Sequence, residues 1–126
     1  MNRFWIGIVL LAVFLGLGLW VTEAVDSVHM PIAQMLEQAA EDALAGDLES
    51  GIARADRAYR EWERYWRGTA AVADHAPMDD IDGLFAQVQS YARAGNGADF
   101  AAGCSRLSKL VEAIGEAHSP GWWNLL

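Results

Sequence analysis

Cysteine is almost absent from this chain: Cys104 stands alone in 126 residues. No disulfide can form within it, and the fold has to hold by packing. Proline occurs only three times, at Pro31, Pro77 and Pro120, and each falls where a helical pattern is interrupted or ends. Positive charge is scarce as well, with nine basic residues against seventeen acidic ones and a formal net charge of -8. Arg3 is the only charged side chain before Thr22, so the remainder carries eight basic and seventeen acidic residues, or -9. Such a surface repels nucleic acid phosphates, and DNA or RNA binding is discounted. The patterns of catalysis are missing too: no Ser/His/Asp ordering, no paired-carboxylate cleft, no glycine-rich phosphate loop and no Cys-x-x-Cys. A small, tightly filled helical domain seldom offers a pocket where reacting groups converge. The expectation is a non-enzyme without a catalytic residue, cofactor or bound metal.

What the chain does have is an apolar run. Phe4 to Val21, FWIGIVLLAVFLGLGLWV, is eighteen residues without a charge or a strongly polar side chain. As a helix it would rise about 27 Å, close to a bilayer's hydrocarbon thickness, which predicts a transmembrane helix. Trp5 and Trp20 bracket it at the depth where indoles favour the headgroup layer, with Arg3 just outside. Positive charge before the run and Glu23 and Asp26 after it predict a cytoplasmic amino terminus and an extracytoplasmic domain in the cell membrane. The alternative is a cleaved secretory signal, with Thr22 and Ala24 as the small residues before the cut; the apolar region is long for that.

Beyond Val21 the apolar spacing becomes that of amphipathic helices. Val25, Val28, Ile32, Met35, Leu36, Ala39 and Ala43 line a first helix ending at Gly46. Pro31 either kinks it or marks its restart, and both remain open. Gly46-Asp47 signals a turn and a new cap. A second helix from Leu48 to about Ala73 carries Leu48, Ile52, Ala55, Tyr59, Trp62 and Trp66 on one face. After the break at Asp74 to Met78, a third helix buries Ile81, Leu84, Phe85, Val88, Tyr91 and Ala92 and stops at Gly95-Asn96-Gly97. A fourth, about Ala98 to Ala117, points Phe100, Cys104, Leu107, Val111 and Ile114 inward, with Leu110 beside them. AlaLeuAlaGlyAsp at 43–47 is echoed by AlaArgAlaGlyAsn at 92–96. Two such hairpins are too few for an open solenoid. The expected fold is all-α: an N-terminal transmembrane helix (stub and anchor, 1–21), an antiparallel four-helix bundle of two hairpins (22–118) and a Trp-rich tail (119–126).

A short basic start, one Trp-flanked apolar segment, an Ala/Glu-rich helix, a Gly-Asp turn, a Trp-containing second helix, a His-and-Asp loop into an Ile/Leu helix and a closing Asn-Leu-Leu together resemble the DUF4363 family. The resemblance spans nearly the whole chain and implies a single-pass membrane protein with a helical domain. It implies no activity for any residue, and Pro31 departs from its pattern.

Several surfaces are candidates for function. Arg54, Arg57, Arg60, Arg64 and Arg67 step by threes and fours and share one helix face, opposite Tyr59, Trp62 and Trp66. The stripe could receive an acidic partner, or anionic headgroups at its Arg64 and Arg67 end; equally it is a solvated face neutralised by pairs such as Arg57–Glu61 and Glu63–Arg67. Trp122 and Trp123, with Leu125 and Leu126, would return to the headgroups or cap the bundle's open end. His75 with Asp74, Asp79, Asp80 and Asp82 has ligand types for a divalent cation but lacks EF-hand spacing, and helix capping accounts for the aspartates. His29 and His118, near helix ends, are expected at the surface. Cys104 reads as a small core residue. The function expected is contact: a membrane-anchored scaffold or accessory subunit with an unknown protein partner and a bilayer around residues 4–21. The alternatives are a ligand- or metal-sensing bundle or a secreted helical protein.

Overall fold

The structure, a computed structural model, describes residues 2–69 and 76–118. Those residues form four helices: α1 (Asn2–Leu44), α2 (Leu48–Thr69), α3 (Ala76–Arg93) and α4 (Gly97–His118). The expectation of an all-helical bundle holds.

The expected transmembrane helix does not. Among the described residues, no helix is long and apolar enough to cross a membrane. A separate single-pass anchor ahead of the bundle is therefore set aside. The boundary expected at residues 21 and 22 lies inside α1, so the apolar rod and the first helix of the bundle are one element. Pro31 lies within that helix, and the choice between a restart and a run-through falls to the latter. Its ring is exposed, on the side where water can satisfy the carbonyl that loses its partner.

Two near-identical turns set the hairpins. At the end of α1, Gly46 takes φ +90°, while its N–H and that of Asp47 donate to Ala43 O and Asp42 O at 3.1 and 2.9 Å. At the end of α3, Gly95 takes φ +66°, and its N–H and that of Asn96 donate to Ala92 O and Tyr91 O at 3.1 and 3.0 Å. Both are Schellman closures, which place glycine in the left-handed region without a Cβ clash. The next residue caps the following helix: Ser50 N–H donates to Asp47 Oδ1 at 3.0 Å, and Asp99 N–H to Asn96 Oδ1 at 3.2 Å. The repeated Ala-x-Ala-Gly-Asp/Asn segments are thus one local structure used twice.

Packing is uneven. α1 lies against both α2 and α4, α3 lies against α4, and α2 and α3 meet over a short seam. Alanines let α1 and α2 approach closely: Ala39, Ala40, Ala43, Ala55 and Ala58 are all buried. At Gly51 an added Cβ would come within 2.8 Å of Ala39 O and 3.2 Å of Phe100. The larger core side chains, Ile32, Leu36, Trp62, Phe85, Phe100, Leu107 and Val111, fill the space between the helices. Ser108, buried, donates to Ala33 O at 2.9 Å and ties α4 to α1. The α2–α3 seam holds through the Tyr59 and Phe85 rings, 5.1 Å apart, and through Trp62 Nε1 donating to Asp82 Oδ1 at 3.2 Å.

Candidate functional site

α2 has one face of large apolar side chains and one face of arginines, because a 100° step per residue puts positions three and four apart side by side. Trp62 is fully buried and Tyr59 and Trp66 are half-buried. Arg54, Arg57, Arg60, Arg64 and Arg67 are all exposed on the other side. Their pairing separates them. Arg54 reaches across to α1, where its Nε meets Asp42 Oδ2 and its Nη1 donates to Gln38 Oε1 at 3.1 Å. Arg64 pairs with Glu61 at 2.9 Å and Arg67 with Glu63 at 3.2 Å. Glu61 turns toward Arg64, so the expected Arg57–Glu61 pair is not made, whereas the Glu63–Arg67 pair is.

Arg57 and Arg60 make no ion pair among the described residues. Beside them Ser50, Ala53, Arg54 and Arg57 surround an open hollow of about 250 Å³. Ser50 and Ala53 are small, and the charge of its lining comes from Arg54 and Arg57. Arg54 is held by α1, whereas Arg57 keeps its whole fork of donors for another acceptor.

The other candidates fare differently. Asp82, itself exposed, accepts from Trp62 Nε1 at 3.2 Å. Asp79 and Asp80 line a groove of about 560 Å³ between α3 and α4, with Leu84, Gln87, Arg106 and Leu110. Among the described residues no three His, Cys, Asp or Glu side chains come together to hold a metal. Asp74, His75, Trp122 and Trp123 lie outside the described residues, as do the side chains of Arg3 and His118. Trp5 and Trp20 are exposed at the two ends of the apolar rod.

His29 corrects a sequence expectation. It is buried, 1% exposed, with its ring 4.8 Å from Tyr65 and 6.3 Å from Trp62, both edge-on. Its spacing of three from Ile32 and seven from Leu36 puts it on the core face; its residue type alone suggested the surface. Burial also raises the Tyr65 phenol above its ordinary value. Cys104 lies in the core, where burial, with a smaller contribution from Glu37, pushes its thiol up to about 12. That thiol stays protonated at neutral pH and is no nucleophile.

A family model described as a domain of unknown function, DUF4363, matches residues 19–125. No curated protein and no solved structure matches the chain.

Proposed function

The chain belongs to the DUF4363 family, and on that premise we propose that it works by contact, a helical bundle held at a lipid surface by the amino-terminal half of α1, without catalysis. One observation carries the reading. Every side chain from Trp5 to Trp20 is exposed, on all sides of the helix. A helix apolar all round is a buried helix in some medium, since a lone Leu or Phe left in water forgoes about 1.5–3 kcal/mol of transfer free energy. The bundle does not cover this rod, and acyl chains would. Contact with lipid calls for apolar surface rather than a full crossing. Sidedness, which the Arg3 flank would set only for a crossing helix, has no part in the proposal.

Support for contact rather than chemistry comes from the polar groups. The thiol is buried and protonated, Asp82 is engaged by Trp62, and the exposed arginines face outward. Flotation with vesicles of neutral phosphatidylcholine tests the lipid contact. The full chain is expected to rise with the vesicles, and Leu11→Arg/Leu15→Arg is expected to stay at the bottom with its helical circular dichroism unchanged. Equal flotation of the two proteins would sink the idea.

A further inference from the structure

We infer that the middle of α2, Arg57 and Arg60 together with the hollow at Ser50 and Arg54, is the docking surface for an acidic segment of another protein. The inference rests on the lipid-bound reading for its geometry and adds the partner's chemistry. Three of the five arginines are engaged within the chain, by Asp42, Glu61 and Glu63. The two in the middle are not. In a chain of net charge -8, two neighbouring guanidinium groups that make no ion pair among the described residues form a local site for negative charge.

Height above the rod decides between lipid phosphate and protein carboxylate. α1 and α2 run antiparallel, with His29 beside Trp62 and Tyr65 at one end and Gly51 beside Ala39 and Ala43 at the other. In that register Arg57 and Arg60 lie level with residues 30–37 of α1, roughly 20 Å beyond Trp20 at 1.5 Å per residue. For a rod immersed along its axis, as a surface apolar on every side calls for, that is farther than an arginine side chain reaches toward headgroups at its Trp20 end. Arg64 and Arg67, nearer the rod, are the ones already neutralised by Glu61 and Glu63. The uncommitted positive charge therefore faces the aqueous side, where its complement is an acidic protein segment. Carboxylates on adjacent turns of a partner helix would recur at the arginine spacing, one entering the hollow between Ser50, Arg54 and Arg57 and the next meeting Arg60.

The probe is a fluorescent alanine-rich helical peptide with glutamates every fourth residue, titrated onto the full-length protein in neutral-lipid vesicles at low ionic strength. Binding is expected to weaken as salt rises. Arg57→Gln/Arg60→Gln is expected to lose more than about tenfold in affinity. Arg93→Gln/Arg106→Gln, the same loss of formal charge at exposed positions on α3 and α4, is expected to change it by less than about twofold. Equal losses in the two double variants, or wild-type binding no tighter than to the glutamine version of the peptide, would overturn the inference. Vesicle flotation of Arg57→Gln/Arg60→Gln reads the lipid contact separately: it is expected to match wild type, so a failed lipid reading and a failed docking reading give different results.

Discussion

At Gly51 a single missing methyl sets how closely two helices pack. Alanine has the better helix propensity by about 1 kcal/mol, which alone would make Gly51→Ala stabilising. The Cβ would arrive 2.8 Å from the backbone oxygen of Ala39, which cannot swing aside as a side chain could. Gly51→Ala is therefore expected to destabilise the fold by about 1–3 kcal/mol, a loss readable in urea unfolding; a gain in midpoint would show that α1 shifts easily. Residues of this kind are hard to find in a sequence. Ala58, Ala101 and Ser108 are buried, yet small and hydroxyl side chains give no clear sign in an apolar pattern. His29 was within reach of the period but is of a type that averages toward the surface. The arginine pairs were undecidable for another reason: Glu61 lies four residues after Arg57 and three before Arg64, and both spacings permit contact.

The helix ends were the most legible elements. Gly46-Asp47 and Gly95-Asn96 announce a left-handed stop followed by a cap, and the structure builds both that way. The apolar stripes of α2, α3 and α4 were legible for a similar reason, since Trp62, Phe85, Phe100 and Leu107 recur at the helical period and are buried. Met78 was lost to the break at Asp74 to Met78, and it turns out to be a core residue at the start of α3. The cap at Asp47 carries a consequence for pH. The Ser50 backbone N–H, then the Ser50 side chain, hold its carboxyl below the ordinary aspartate value of about 3.9. A depressed carboxyl stabilises the fold in full above the unfolded value, and the contribution fades as pH falls through the lower folded value. Below about pH 4 wild type is expected to lose stability that Asp47→Asn, a cap without a titrating proton, retains. Parallel thermal melts from pH 5 to pH 2 check this, and identical acid limbs would remove Asp47 from the account.

For the molecule as a whole, the sequence conveyed the order of the bundle helices, whereas their number and the relation between rod and bundle needed coordinates. An apolar run and an amphipathic helix look like two elements when their periods are read separately, and Pro31 strengthened that division. In the structure they are one helix of 43 residues. Neither did hydrophobic spacing reveal that the seam between α2 and α3 would be thin. With most of its packing on α4 alone, α3 is expected to be the first part to open. Its amides should exchange hydrogen faster than those of α1 between Ile32 and Ala43, in native-state exchange read by mass spectrometry. Uniform protection across the four helices would count against a separately opening α3.

Rod and bundle share one helix from Asn2 to Leu44, so α1 acts as a mast. Tilting its oily end by a few degrees would swing the Gly46 turn sideways by several ångströms, since the displacement grows with a length of roughly 64 Å. Whatever fixes the inclination of that end also aims the bundle.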